Sequence, residues 1–463
     1  MIVGLVAVYM LFMFAIGVYC RRFIKDSEDF LVAGRKMGLF FITGSYIASH
    51  FGGGFAIGGA EYGALYGIGG VWYGLACAIS YFLFGAFLAR RAYNLGNIYT
   101  IPDFLDLRYG SKRVRAAFAL VSALGNIGIF AAQIMAAASI LEMLGIPSQW
   151  GAIIGTVILV GYATLSGLWA VIITDAIQVI IAGIGVIIAS AIALATVGGF
   201  DGLAAAPALT PSYFQAIPFS FEDWIMILAP TALYGFVSQA SFQRTFASKD
   251  LKTAVGAPWL SGVILVPLSF IPVITGMAAK AMWPDLDPAL AMPEIIQHVL
   301  SPFAAAIVLA ALLAAIMSTA DGMLLAVTAH INRDFYQKII NPSATKEQLL
   351  KVSYIATAVV GIFGLVMALS MPTIFSMLVT AYSILIAGCF VPVVGGFFWS
   401  RATEQGAFWS FIAGTVFFII TSPSFLGLFT VPYPNIFSMI PSLIVYVAVS
   451  LATKPSVQSP VGA

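Results

Sequence analysis

One face of an apolar stretch carries residue types that could bind a monovalent cation. In AALLAAIMSTADGMLLA (residues 310–326), Ala315, Ser318 and Thr319 are spaced i, i+3 and i+4 and therefore share one face of a helix. Two hydroxyls and a carbonyl offer three oxygens, and hard cations take oxygen ligands. Taken alone, Ser and Thr in a membrane helix more often hydrogen-bond to carbonyls of their own helix. The pattern therefore predicts a cation site only together with oxygens from a second element.

The stretch ASHFGGGFAIGGAEYG (residues 48–63) could supply those oxygens. Its glycine triplet at 52–54 holds a helix poorly, and non-helical backbone at membrane depth is tolerated where it lines a cavity enclosed by protein. Close packing of small residues is the alternative explanation, but packing needs one helix face, whereas three adjacent glycines point to all faces. We therefore predict an unwound segment whose Ala48 and Phe51 carbonyls complete a site of five oxygens.

A second interruption lies in TALYGFVSQASFQR (residues 231–244), where Gly235, Ser238, Gln239 and Ser241 thin out an apolar run. It occurs five predicted helices after the first, and the two weakened helices enter the membrane from opposite sides. Interrupted helices at corresponding positions of two halves indicate an inverted repeat around a binding site near the midplane. When the predicted helices are numbered in chain order, with residues 48–63 in helix 2 and residues 231–244 in helix 7, the pattern predicts that helices 2–6 and 7–11 form the two halves.

Three ionisable residues lie inside predicted membrane segments, where such residues are functional candidates. Asp175, near the start of helix 6, either attracts the cation on its exit route or is a carboxylate favoured by the helix N-terminus. Asp321 is a candidate for an additional ion or proton site, or it pairs with a neighbouring donor. His50 lies within the glycine-rich break and is either a substrate ligand or a structural donor. The sequence leaves both interpretations of each residue open.

The composition identifies the class of protein that must position these residues. Of the 463 residues, 61% are hydrophobic and only 9% are charged, which lies outside the range of soluble globular domains. No basic patch interleaved with aromatic residues suggests nucleic acid, no enzyme active site emerges, and no obligate protein partner is apparent. We therefore predict an all-α polytopic membrane protein, not an enzyme, whose partners are a small-molecule solute and the lipid bilayer.

Thirteen apolar runs are long enough to cross a hydrocarbon layer of about 30 Å. We predict a single transmembrane domain over 1–463, in which 1–37 holds the first helix and a cytoplasmic loop, 38–198 the first repeat, 223–400 the second repeat, and 401–463 the C-terminal helices and tail. The runs begin near Ile2, Gly38, Ile68, Ala116, Gln149, Ala170, Asp223, Ala254, Pro302, Leu349, Thr373, Gln405 and Tyr433.

The basic residues predict the orientation. With the N-terminus outside, all of the 21 Lys and Arg residues except Lys280 fall on the inner side, as the positive-inside rule requires. We therefore expect a cytoplasmic C-terminus, and the short loops suit the plasma membrane of a prokaryote.

Five ordered segments together resemble the sodium:solute symporter family, and the resemblance covers nearly the whole chain. It implies an inverted five-plus-five repeat with extra helices at the ends, and uptake of a small organic solute coupled to Na⁺ by alternating access. The segments are DFLVAGRKMG (29–38), TIPDFLDLRYG (100–110), SGLWAVIITDAIQ (166–178), FQRTFASKD (242–250) and AAIMSTAD (314–321).

Matched position by position, the resemblance implies roles for individual residues. The Na⁺ site is similar to the five-oxygen constellation described above, and Asp175 matches an acidic residue on the cytoplasmic ion exit route. Tyr234 resembles an aromatic inner gate below the solute, and Thr231 a neighbouring position that faces the solute. The candidate Na⁺ ligands are Ala48, Phe51, Ala315, Ser318 and Thr319, and the candidate substrate-binding residues are His50, Phe55, Thr231, Tyr234, Ser238 and Gln239.

Departures from the branches of the family bear on the solute. The sugar-transporting branch carries a glutamine and a glutamate where this chain has Phe55 and Gly74, and the proline-transporting branch carries an aspartate and a tryptophan at His50 and Gly54. The stretch GGGFAIGGAEYG resembles the choline-transporting branch, and a quaternary ammonium would use an aromatic cage. We therefore expect an amino acid or a quaternary amine in preference to a sugar.

Two alternative functions keep the same fold. A proton-coupled or uncoupled carrier would lack sodium dependence, with His50, Asp175 or Asp321 as the proton site. A membrane sensor of sodium or solute would bind without net transport.

Overall fold

The computed structural model describes residues 32–454 except 97, 99, 164–167, 372 and 430, together with positions 4, 8, 12, 15 and 19 of the first predicted helix. The described part is all-helical, with no β-strand. Ten of its helices are long and apolar enough to cross a membrane, and two shorter apolar helices, Leu39–Phe51 and Ser148–Gly161, accompany them. Most of the first predicted helix lies outside the described residues, so the total of thirteen stays a prediction.

Helices lie at the other twelve predicted positions. Helix 2 comprises Leu39–Phe51 (2a) and Gly58–Tyr66 (2b), helix 3 is Val71–Phe87, helix 4 Lys112–Met143, helix 5 Ser148–Ala163, helix 6 Leu168–Thr196, helix 7 Phe221–Tyr234 (7a) and Gln239–Ala247 (7b), helix 8 Leu251–Leu268 and Phe270–Met282, helix 9 Pro302–Ala329, helix 10 Lys346–Ala368, helix 11 Ile374–Leu385 and Val391–Phe398, helix 12 Glu404–Thr421, and helix 13 Met439–Ala452. Shorter helices in the connections are Ala89–Asn94, Ile101–Tyr109, Gly199–Ala205, Ala291–Val299 and Pro434–Phe437.

Both predicted interruptions are present. Helix 2a ends at Phe51, Gly52 is extended, and the chain continues as a π-helical turn over Gly53–Ile57 before helix 2b. Helix 7 is interrupted between Tyr234 and Gln239. The broken helices therefore lie where the sequence weakens the helical pattern, five helices apart.

The packing of the helices follows the inverted repeat. Exchanging helix 2 with 7, 3 with 8, 4 with 9, 5 with 10 and 6 with 11 converts several helix contacts into other observed contacts. Helix 2 packs against helix 8 as helix 7 packs against helix 3, and helix 4 packs against helix 11 as helix 9 packs against helix 6. Helices 4 and 9 also pack on each other. The two halves therefore share one architecture around a pseudo-twofold axis.

The connections that the sequence predicts to lie inside meet at one end of the bundle. Backbone of the segment before helix 2 pairs with backbone after helix 7, and arginines reach from one connection to the carbonyls of the next. These contacts are Lys249 N to Met37 O at 3.0 Å, Arg35 Nη2 to Ile98 O at 3.0 Å, and Arg108 Nη2 to Trp399 O at 2.8 Å. The basic residues are thus concentrated at this end, which we call the basic end.

Candidate functional site

The interruption in helix 2 faces the middle of helix 9. The Thr319 hydroxyl lies 3.2 Å from the Ala48 carbonyl oxygen and 3.1 Å from the Ala315 carbonyl oxygen. Thr319 therefore makes the local bond to its own helix that the sequence left as an alternative, and it also reaches across to helix 2a. Phe51, the last residue of helix 2a, is buried. The structure thus brings three of the five predicted Na⁺ ligands into direct contact.

Ser318, the other candidate ligand with a hydroxyl, points to helix 6. Its hydroxyl donates to Oδ1 of Asp175, and the hydroxyl of Ser45 donates to Oδ2 at 2.5 Å. Arg244 completes the cluster: its Nη2 lies 3.3 Å from Asp175 Oδ2, and its Nε donates to Ser45 Oγ at 2.9 Å. All four side chains are buried. Asp175 therefore contacts a candidate ion ligand directly, and a buried arginine balances its charge.

Sequence reasoning missed Ser45 and Arg244. Arg244 carried a usable signal, because an ionisable residue beside an interrupted membrane helix is a functional candidate, but it was assigned to the basic residues of an inner loop. Ser45 carried no signal, because a single serine in an apolar helix is common and its partners lie on two other helices.

Helix 4 contributes a group that holds the broken backbone of helix 2. Oε1 of the buried Gln133 accepts the Gly53 N–H at 3.0 Å. A Cβ at Gly53 would lie 2.2 Å from Ala136 Cβ, and a Cβ at Gly52 would lie 2.6 Å from the Thr319 hydroxyl oxygen. Glycine is therefore required at both positions for close approach of helix 2 to helices 4 and 9.

We expect Gln133→Ala to destabilise the protein by about 1–3 kcal/mol, because a buried N–H left without its acceptor loses a hydrogen bond without regaining water. Thermal unfolding of the purified protein in detergent checks this. Asn126→Ala on the same helix is the control, since Asn126 pairs with the Ser122 hydroxyl and not with broken backbone. Equal losses from the two substitutions would contradict a special role for Gln133.

Aromatic residues surround the break on the other side of helix 2. The His50 ring lies 5.0 Å from the Tyr81 ring and 6.2 Å from the Tyr234 ring, between centroids. The Tyr234 ring lies 4.4 Å from Tyr382, whose hydroxyl is 3.4 Å from that of Tyr73. We call these five residues the aromatic cluster. Nδ1 of His50 is buried and has no hydrogen-bond partner among the described residues, so the cluster contains an unsatisfied polar atom.

Three predicted substrate ligands have hydrogen-bond partners within the bundle. The Thr231 hydroxyl bonds to Ile227 O in its own helix at 3.1 Å. The Ser238 hydroxyl caps helix 7b by accepting from Ser241 N at 3.3 Å, and Gln239 Oε1 accepts from Ile101 N at 3.0 Å. Each polar group is therefore engaged in this conformation.

The remaining predicted residues lie deep in the bundle. The Phe55 ring is buried against Phe51, with centroids 5.6 Å apart. Asp321 is fully buried in helix 9. Tyr81 and Tyr382 were not singled out from the sequence, because aromatic residues make up 13% of the chain and their number hides the few that meet.

Comparisons with known proteins agree with this fold. The model of the sodium:solute symporter family matches residues 30–414. The chain is 27% identical to the sodium/glucose cotransporter 4 of Danio rerio over 89% of this chain and 70% of that protein. It is 28% identical to the sodium/pantothenate symporter of Escherichia coli over 94% of this chain and 92% of that protein.

Solved structures show the same architecture. A Na⁺-coupled sialic acid symporter in a substrate-bound, outward-open state aligns over 99% of both chains with a TM-score of 0.79 and 17% identity. Mhp1, a transporter of the nucleobase-cation-symport-1 family, aligns over 95% of this chain and 97% of its own with a TM-score of 0.62 and 14% identity. With its interrupted helices and its match over residues 30–414, the chain belongs to the sodium:solute symporter family, whose members are Na⁺-coupled cotransporters and not enzymes.

Proposed function

We propose that this chain imports a small organic solute together with Na⁺, which binds between the end of helix 2a and helix 9. The observation that carries the proposal is the convergence of the Ala48 carbonyl, the Ala315 carbonyl and the Thr319 hydroxyl within hydrogen-bonding distance. Oxygen atoms from two helices meet where helix 2 is broken, and a cation there would hold the break in one conformation. The full ligand set is Ala48, Phe51, Ala315, Ser318 and Thr319.

Asp175 takes the role of a relay beside this site. Its carboxylate contacts Ser318 and is held by Arg244. An ion leaving the Ser318 hydroxyl would meet this carboxylate next, and the arginine lowers the cost of keeping it charged when no ion is present. Asp321 is the candidate for an additional ion or proton site.

The solute binds against the aromatic cluster. His50 offers a buried polar atom without a partner, and four tyrosine rings face the same region. Such rings favour a cationic group, because the negative face of an aromatic ring attracts a positive charge. This chemistry supports an amino acid or a quaternary amine.

The contact between Phe55 and Gly74 argues against a sugar. A Cβ at Gly74 would lie 3.1 Å from the Phe55 ring, so the two positions are in contact. They present a ring and bare backbone, where the sugar-transporting branch presents an amide and a carboxylate. Few polar groups would then remain there to receive the hydroxyls of a sugar.

We also propose an orientation of the chain in the membrane. The basic end of the bundle faces the cytoplasm of a prokaryotic cell, the N-terminus lies outside and the C-terminus inside, in accord with the positive-inside rule. The repeat halves correspond to 38–198 and 223–400.

The test is the thermal stability of the purified protein in NaCl and in KCl at equal ionic strength, over a panel of amino acids, quaternary amines, carboxylates and sugars. We expect Na⁺ alone to raise the unfolding temperature, and one class of solute to raise it further only when Na⁺ is present, because binding of the two is reciprocally linked. Identical curves in Na⁺ and K⁺ would reject the ion site. Stabilisation by sugars alone would reject the solute class and leave the ion site standing.

A further inference from the structure

A groove of about 500 Å³ opens on the outside of the bundle at its basic end, where helices 4 and 12 meet the segment His330–Ile340 that continues helix 9. Its residues belong neither to the ion site nor to the aromatic cluster. We propose that this groove binds one anionic phospholipid, with the phosphate at Lys112 and Arg113 and an acyl chain along the apolar floor. We call it the basic groove.

The floor of the basic groove is built from three apolar pairs, each with a spacing of four residues, which places both members on one helix face. The stripe on helix 4 runs from Lys112 to Leu120, a distance of about 12 Å along the axis. One end of the groove is therefore charged, and the remainder is apolar. The pairs are Ala116 and Leu120, Phe335 and Ile339, and Phe408 and Ile412.

Lys112 and Arg113 are available to an anion. Both are exposed, and neither side chain has an ion-pair or hydrogen-bond partner among the described residues. They occupy the first turn of helix 4, where free N–H groups add a partial positive charge.

The nearby carboxylates do not compete for these two cations. Three of them pair with Arg115 at the same end of helix 4, and Glu404 accepts the Ser111 hydroxyl at 2.5 Å. The three are Asp103 at 2.7 Å, Asp106 at 2.9 Å and Asp334 at 2.5 Å from Arg115 nitrogens. Among the described residues, no carboxylate lies within ion-pair distance of Lys112 or Arg113.

The shape of the basic groove favours a phospholipid over a free phosphate. Polar groups are confined to the mouth, so a soluble phosphate would leave the apolar floor exposed, whereas a phospholipid covers both. Basic pockets between membrane helices on the cytoplasmic side are suited to anionic headgroups. A bound lipid would touch helices 4 and 12 and the extension of helix 9.

The experiment measures binding of phosphatidylglycerol and of phosphatidylcholine with the same acyl chains to the purified full-length protein by native mass spectrometry. We expect preferential retention of phosphatidylglycerol. Lys112→Gln with Arg113→Gln should weaken that binding about twenty-fivefold, at roughly fivefold for each basic residue near an anionic headgroup. The control is Lys249→Gln with Lys252→Gln, which removes the same charge from exposed positions outside the groove and should leave the preference intact.

A second pair of variants tests the apolar floor while keeping the charge. Leu120→Trp fills the groove and should lower retention of both lipids, whereas Leu124→Trp, one turn further along and also exposed, should not. If the variant at Lys112 and Arg113 and the variant at Lys249 and Lys252 lost the same amount of phosphatidylglycerol binding, the attraction would be non-specific and the proposal would be overturned. Displacement of the lipid by glycerol phosphate would show that the groove is a site for a free anion. A Leu120→Trp variant that alters only dimer formation would assign the groove to a second copy of the chain.

Discussion

Arg244→Met is expected to lower the stability of the protein by about 3–5 kcal/mol and to abolish transport. Arg244 balances the charge of Asp175 inside the bundle, and removal of one partner from a buried ion pair leaves the other charge uncompensated. Methionine keeps an unbranched apolar stem at this position, so that less packing is lost than in an alanine variant. Thermal unfolding in detergent and solute uptake into proteoliposomes measure the two effects.

A double variant separates charge from structure in this prediction. Asp175→Asn with Arg244→Met removes both charges and should recover much of the lost stability while transport stays low, because the relay for the ion is absent. Arg91→Met is the matched control, since Arg91 is exposed, and its guanidinium donates to Phe87 O at 2.8 Å and lies 4.3 Å from the Phe398 ring centroid, with no buried carboxylate in these contacts. A double variant no more stable than Arg244→Met would show that charge balance is not the function of this arginine.

Thr319→Ala is expected to weaken Na⁺ binding about tenfold to a hundredfold. The substitution removes a hydroxyl that lies between two carbonyl oxygens, and a polar contact with a charged group contributes about 1.5–3 kcal/mol. The dependence of unfolding temperature on NaCl concentration measures the affinity. Thr319→Ser keeps the oxygen and should retain most of it.

The control for this effect lies nine residues away on the same helix. The Thr328 hydroxyl is 3.0 Å from that of Thr357, far from the break in helix 2, so Thr328→Ala should change stability without changing the NaCl dependence. If Thr319→Ala left the Na⁺ titration unaltered, the proposed ligand set would be wrong.

The positions of the helices could be read from the sequence because burial in lipid requires long apolar runs. The broken helices could be located for a related reason, because a glycine triplet within such an apolar run destabilises a regular helix. The apolar runs and the glycine triplet together predict the contact of Thr319 with Ala48, because the site must lie where broken backbone meets hydroxyls on a neighbouring helix. Each of these inferences needs the sequence of only one segment, or of two segments whose relation the inverted repeat predicts.

The contacts that could not be predicted join three or more helices. Gln133 reaches Gly53 from helix 4, and Arg244 reaches Ser45 and Asp175 from helix 7b. Their partners depend on how the helices are rotated, which hydrophobic spacing does not specify. Gln239 shows the same limit, because the sequence predicts a ligand there and does not predict that its Oε1 accepts from backbone of a connection.

The end of helix 2a has an electrical consequence. Peptide dipoles add along a helix and leave roughly half an elementary negative charge at its last carbonyls, which here belong to the turn that contains Ala48 and Phe51. A cation at the break is therefore attracted by backbone alone, without a carboxylate among its five proposed ligands. Such a site has no protonatable ligand of its own, so its affinity for Na⁺ should vary little with acidity, whereas a carboxylate cage would lose its cation as the medium becomes acidic.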